Sequence, residues 1–151
     1  MNRIVIIGTQ PPCPRCGLLS RVVSEKIREL KINAEIVHLS YDDLESQDYA
    51  GQFGLKAGTA KDVAKIIKRD INTDKLNEII NNWKPDKNCE FKNFNDFKWS
   101  LALDDYLRPF ETKAKDAGIL MTPVLIINGK MKHNGSVPGL DKIVDWLSEL
   151  K

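Results

Sequence analysis

The sequence has little of what marks several large classes of protein. Its three cysteines are an odd number and do not suggest a disulfide scaffold. The formal net charge is only +2, and basic and acidic residues are interspersed, which argues against a nucleic-acid-binding surface. The apolar run near the N-terminus, Ile4 to Ile7, is too short for a signal-peptide core or a membrane span. We therefore expect a cytoplasmic protein that binds neither nucleic acid nor a membrane.

The composition is ordinary for a globular protein. Of the 151 residues, 42% are apolar and 29% are charged. A chain of this length can bury an adequate core without disulfides or metals. We expect a single domain over residues 1–151, with a helical insert at residues 44–117 inside it.

The N-terminal part of the chain carries a strand, a helix and a second strand. Four consecutive β-branched residues, Ile4 to Ile7, predict a buried strand over residues 3–8. Apolar residues then recur at helical spacing from Cys16 to Leu30, and a second strand is predicted over residues 33–39. Such a βαβ unit requires the two strands to be parallel.

The C-terminal part predicts a hairpin followed by a helix. The β-branched run after Pro123 ends in Asn128-Gly129, which is a strong signal for a tight hairpin turn. A returning strand is predicted over residues 130–133, and a helix with one apolar face is predicted to begin near Leu140. This half is therefore a ββα unit.

The segment between these two units shows helix patterns. Thr59 with Asp62 predicts a capping box, and Thr73 predicts the N-cap of a second helix. A third helix is predicted over residues 97–117, with Pro109 as a kink or break. These patterns predict that the insert consists of helices whose apolar faces pack in the protein core.

The motif Cys13-Pro14-Arg15-Cys16 lies between the first strand and the first helix. A sulfur at a helix N-terminus is surrounded by free backbone N–H groups and the positive end of the helix dipole, which favour a thiolate. The charge of Arg15 acts in the same direction, and Pro14 suits a first helical turn. In that geometry Cys13 is the exposed attacking thiolate and Cys16 is the shielded resolving thiol.

Other uses of the pair are open at this stage. A structural zinc ion needs about four ligands, and Cys89, His38 and His133 are not paired at ligand spacing. A structural disulfide with a two-residue spacer would close too small a loop to add much stability. A thiolate metal carrier stays as an alternative function, although we expect no bound metal. Cys89 and the two histidines are expected to have no catalytic role.

Together with Thr122-Pro123 ahead of the late hairpin, this motif resembles the thioredoxin-like fold superfamily. The resemblance covers residues 2–40 and 118–150, and is to glutaredoxin- and thioredoxin-like thiol–disulfide oxidoreductases with a helical insert before a cis-proline. It implies an α/β fold of the form βαβ–insert–ββα around a central mixed four-stranded sheet. It also implies that Pro123 is cis beside the disulfide and that the backbone at Thr122 hydrogen-bonds an extended substrate.

The sequence departs from the family's pattern in three places. Pro12 stands where thioredoxin has a Trp before its first cysteine. The all-apolar Ile4 to Ile7 stands where thioredoxin has a buried Asp, so Cys16 lacks an evident internal base. The glutathione site of glutaredoxins has a Gly-Gly and an acidic pair, whereas residues 134–141 keep glycines and only Asp141. We therefore expect no cofactor other than the redox-active disulfide. Glutathione stays as an alternative ligand, although the motif that binds it in glutaredoxins is incomplete here.

These residues predict a thiol–disulfide oxidoreductase. Cys13 would attack a protein or small-molecule disulfide, and Cys16 would release the reduced product, with an electron donor and a redox direction that the sequence does not specify. The alternative is a redox-sensing regulator or binding protein of the arsenate-reductase-like type. Those proteins typically place an Arg before the late proline, whereas Met121-Thr122 precedes it here.

Overall fold

The apolar run near the N-terminus forms one of the two central strands of the main sheet. The computed structural model describes residues 1–151. The strands of the main sheet are β1 (Asn2–Gly8), β2 (Ala34–Ser40), β5 (Val124–Ile127) and β6 (Lys130–Asn134). Their order is β2-β1-β5-β6. Strand β1 pairs in parallel with β2 and antiparallel with β5, and β5 pairs antiparallel with β6. The predicted α/β fold with a mixed four-stranded sheet is confirmed.

Alternate residues of β1 serve two apolar clusters because successive strand side chains point to opposite faces. Ile4 and Ile6 belong to the larger cluster, which contains the apolar faces of four helices. Val5 and Ile7 belong to the smaller cluster on the other face. The four helices of the larger cluster are α1 (Pro14–Glu29), α3 (Ala60–Ile67), α5 (Leu101–Ala114) and α6 (Leu140–Ser148). None of the helices has the length and apolar character that a bilayer crossing demands.

The segment expected to be purely helical also contains a strand. Strand β3 pairs in parallel with β4, and these two form a separate two-stranded sheet. Both strands are only three residues long, and three residues are too few to show a period-two pattern in the sequence. The elements of this region are α2 (Leu44–Gln52), β3 (Lys56–Gly58), α3 (Ala60–Ile67), α4 (Thr73–Asn81) and β4 (Ile119–Met121).

Helix boundaries in the insert are set by their caps, and two differ from the expected positions. The Thr59–Asp62 capping box is present at the start of α3. Helix α4 is capped by Asn72 rather than Thr73, because the Asn72 side chain accepts a hydrogen bond from the Lys75 N–H. Helix α5 begins after Ser100 rather than at residue 97, and it continues through Pro109 without a break.

Candidate functional site: a cysteine pair at a helix N-terminus

The cysteine motif forms the start of α1. Cys13 is the N-cap residue, and Pro14 occupies the first turn, where its missing N–H costs no hydrogen bond. The Cys13 side chain accepts a hydrogen bond from the Cys16 N–H at 3.4 Å. Cys13 is partly exposed, whereas Cys16, one turn further along, is buried. The first sulfur is therefore the accessible one.

The two sulfurs lie within hydrogen-bonding distance of each other. Both are free thiols, and their Sγ atoms are 3.1 Å apart. The hydrogen bond from Cys16, assisted by the charge of Arg15, lowers the pKa of Cys13 to about 6 although burial opposes ionisation. The same hydrogen bond, reinforced by burial, raises the pKa of Cys16 far above its usual range. The pair thus holds a thiolate at Cys13 and a protonated thiol at Cys16 at neutral pH.

Gly8 and Thr9, which the sequence analysis did not single out, shape the turn before the motif. The Thr9 hydroxyl accepts a hydrogen bond from the Cys13 N–H at 3.0 Å. A Cβ atom on Gly8 would lie 3.1 Å from the Cys16 Sγ. A side chain at the last residue of β1 would therefore crowd the Cys16 sulfur, which packs against the backbone there.

Arg15 is held by a carboxylate of the insert. Its side chain is 6% exposed, and its Nε donates to Asp104 Oδ1 at 2.7 Å. The other oxygen of Asp104 accepts from the Trp99 indole N–H at 3.0 Å and from the Val137 N–H at 3.2 Å. Sequence reasoning missed Asp104 because 89 residues separate it from Arg15. Helix α5 thereby fixes both the cysteine motif and the loop after β6.

A second residue of the insert covers the start of α1. A Cβ atom on Gly17 would lie 2.4 Å from Cδ1 of Phe97, so the aromatic ring rests directly on the helix backbone beside Cys16. Phe97 and Asp104 together show that residues 44–117 contribute to the surroundings of the cysteine pair.

Thr122 and Pro123 lie at the same end of the sheet as Gly8. The pairing of Ile7 with Val124 places residue 123 opposite the end of β1, from which the cysteine turn departs. The Thr122–Pro123 peptide bond is cis. The Thr122 N–H already donates to the Gly58 carbonyl at 2.9 Å. Of the two backbone hydrogen-bonding groups of Thr122, the N–H is therefore already occupied within the protein.

Of two open cavities, one is lined by a residue of the cysteine pair and the other is not. A groove of about 410 Å³ contains Cys16 together with Thr9, Ser20 and His38. The larger cavity, of about 1060 Å³, is lined by residues of the insert between 75 and 102, including Cys89, and it contains neither Cys13 nor Cys16. No group of three or more His, Cys, Asp or Glu side chains is arranged to hold a metal ion.

The fold and the position of the cysteine pair together define a class of protein. A sheet in the order β2-β1-β5-β6, with α1 and α6 on one face and a Cys-x-x-Cys motif opening α1, is thioredoxin-like. The family model described as Thioredoxin domain matches residues 105–148, which is less than a third of the chain and does not include the cysteine pair. The match and the fold together support a member of the thioredoxin-like superfamily. No curated protein matches the sequence.

Proposed function

We propose that the protein is a thiol–disulfide oxidoreductase that uses the Cys13–Cys16 couple. The observation that carries the proposal is the pair of sulfurs 3.1 Å apart at the start of α1, of which one is a partly exposed low-pKa thiolate. A thiolate is the species that attacks a disulfide, and a second thiol within reach resolves the mixed disulfide that forms. The thioredoxin-domain match supports the same chemistry at the level of the superfamily.

The reaction proceeds in two exchanges. The Cys13 thiolate attacks a substrate disulfide, which forms a mixed disulfide and releases one substrate thiolate. Cys16 then attacks the Cys13 sulfur, which releases the second substrate thiolate and leaves the Cys13–Cys16 disulfide. A thiol or dithiol donor returns the couple to the reduced state, and no other cofactor takes part. We propose a cytoplasmic location because three free thiols suit a reducing compartment.

Substrate binding is assigned to the turn before β5. The Thr122 carbonyl would accept one hydrogen bond from an extended protein or small-molecule disulfide, and Pro123 would pack beside the sulfurs. Arg15 and Pro14 support the pair through charge and helix geometry rather than by contact with the substrate.

The test is the reduction of insulin with dithiothreitol as electron donor. Wild-type protein should accelerate the precipitation of the insulin B chain, and Cys13→Ser should reduce the rate to that of dithiothreitol alone. Cys89→Ser is the matched control, since Cys89 lies in the insert away from the pair, and it should retain full activity. A Cys13→Ser protein with the wild-type rate would sink the proposal.

A further inference from the structure

The resolving thiol has no base in direct contact. Cys16 is 3% exposed, and its sulfur forms a hydrogen bond with the Cys13 sulfur. The Cys13 sulfur ceases to be a thiolate once it is bound in a mixed disulfide. The apolar strand behind Cys16 supplies no carboxylate. The proton of Cys16 has to leave by another route before the sulfur can attack.

The groove beside Cys16 offers such a route. Ser20 lies one turn after Cys16 on the same face of α1, because residues four apart are neighbours on a helix. The Ser20 Oγ is 3.3 Å from His38 Nδ1. Cys16, Ser20 and His38 line one groove of about 410 Å³, which has space for several waters at about 30 Å³ each. The Ser20 hydroxyl and space for water therefore separate the buried thiol from an imidazole.

We propose that His38, acting through Ser20 and water in the groove, accepts the proton of Cys16 when Cys16 resolves the mixed disulfide. The inference rests on the proposed function. An imidazole is the side chain whose ordinary protonation range lies closest to neutral pH. His38 is exposed on β2, so the proton it accepts can pass to solvent.

The step balances without a further reactant. The proton of Cys16 passes to His38, and the Cys16 thiolate attacks the Cys13 sulfur of the mixed disulfide. The Cys13–Cys16 bond forms, the bond between Cys13 and the substrate breaks, and the substrate sulfur leaves as a thiolate that takes a proton from solvent. Over the two exchanges the protein dithiol loses two electrons and the substrate disulfide gains them.

Few charged groups face His38 in the groove. The other charged residue that lines the groove is Arg21, and its guanidinium pairs with Glu25 at 3.3 Å and with Asp96 at 2.6 Å. On the neighbouring strand β1, the residue in register with His38 is the apolar Ile6. The only other titratable group of the groove is Cys16 itself.

The experiment follows both exchanges with dithiobis(nitrobenzoate), whose released thionitrobenzoate is coloured. Reduced full-length protein carrying Cys89→Ser is mixed with the reagent in a stopped-flow instrument between about pH 5 and pH 9. The first phase of release reports the attack by Cys13, and the second reports the attack by Cys16. In this background His38→Asn should slow the second phase by at least about 10-fold at pH 7, since general bases typically contribute 10²–10⁴-fold. The first phase should stay unchanged.

Further measurements separate a proton acceptor from a structural residue. The rate of the second phase in the Cys89→Ser parent should show an inflection as the pH rises, and His38→Asn should lose that inflection. Added imidazole should restore the second phase in His38→Ala, and Ser20→Ala should slow the same phase. His133→Gln, which changes the other histidine, should leave both phases as in the parent.

The outcomes are distinguishable. Equal second-phase rates and pH profiles in the parent and in His38→Asn would overturn the role of His38 while leaving the oxidoreductase intact. A parent protein that shows no first phase dependent on Cys13 would overturn the proposed function, and the role of His38 with it. Thermal unfolding of each variant establishes that the comparison is made between folded proteins.

Discussion

The cysteine sulfurs have opposite protonation states because a single hydrogen bond stabilises one charge. The Cys16 thiol donates to the Cys13 thiolate, so the interaction that lowers the pKa of Cys13 is the one that raises the pKa of Cys16. The position at the helix N-terminus alone would lower the pKa of Cys13 without raising the pKa of Cys16. The reactivity of the pair is therefore a property of two side chains together.

Alkylation by iodoacetamide should show this dependence directly. In reduced Cys89→Ser protein, the rate of Cys13 alkylation should have its midpoint at about pH 6 and fall at lower pH as the thiolate is protonated. Cys16→Ala removes the largest stabilising contact, so its midpoint should lie at higher pH. Identical midpoints near pH 8.5, the ordinary value for cysteine, in both proteins would contradict this account.

Asp104 neutralises a charge that the motif buries. The Arg15 and Asp104 side chains are 6% and 2% exposed, and Arg15 Nη2 has no partner of its own. Asp104→Asn would leave a buried guanidinium without a counter-charge, which costs about 3–5 kcal/mol of unfolding free energy. Urea denaturation measures the loss, and the neighbouring Asp105→Asn is the control. Asp105 is 61% exposed, and its replacement should change stability by less than about 1 kcal/mol.

At the level of single elements, the start of α1 packs closely against the insert. Gly17 is a helix residue whose missing side chain makes room for the Phe97 ring. In an open helical position, alanine is more stable than glycine by about 1 kcal/mol. At Gly17 the Phe97 ring already occupies the space that an alanine methyl group would need.

Gly17→Ala should therefore destabilise the protein by about 1–3 kcal/mol, the usual result of overpacking. The same change made in a Phe97→Ala background should be neutral or stabilising, because the ring is no longer there. Gly51→Ala in α2, where an added Cβ meets nothing within 4 Å, is the control and should stabilise the protein slightly. Chemical denaturation of the four proteins of the cycle gives the coupling energy, and a coupling near zero would be inconsistent with this contact.

Sequence periodicity was sufficient to predict the long secondary-structure elements, but it did not predict the contacts between them. The β-branched run of β1, the Asn128-Gly129 hairpin and the Thr59–Asp62 capping box carry local signals, and the structure has all three. The cap at Asn72 differs by one residue from the expected Thr73 because both residue types cap helices. Pairings such as Arg15 with Asp104 depend on how distant segments fold together, so no local pattern reports them.

At the scale of the whole molecule, a partly buried network joins the last helix of the insert to the C-terminal hairpin. The Ser136 hydroxyl donates to Glu111 at 2.8 Å and lies 2.8 Å from His133 Nε2. Glu111 in turn pairs with Arg108 at 2.6 Å. Since Ser136 donates to the carboxylate, His133 Nε2 carries a proton and donates to Ser136. The network therefore fixes the tautomer of one imidazole.

Stability should fall in mild acid because of His133. Burial, the largest influence, lowers the pKa of His133 below its ordinary value, against the pull of Glu111. The folded protein therefore binds this proton less readily than the unfolded chain. The stabilisation that neutral His133 gives the folded state is complete above about pH 6.5 and is lost as the pH falls. His133→Gln should make the free energy of unfolding less dependent on pH between about pH 5 and pH 7.5. Urea titrations at several pH values test this, and parallel curves would contradict it.

The hydrogen bond from Thr122 to Gly58 makes the small sheet a support for the turn before β5. It ties that turn to β3, a strand that lies entirely within residues 44–117. A substitution or a change of length near Gly58 would shift that turn while leaving every residue of the cysteine motif as it is. Under the proposed function, substrate preference can therefore be altered from the insert without a change in the sulfur chemistry.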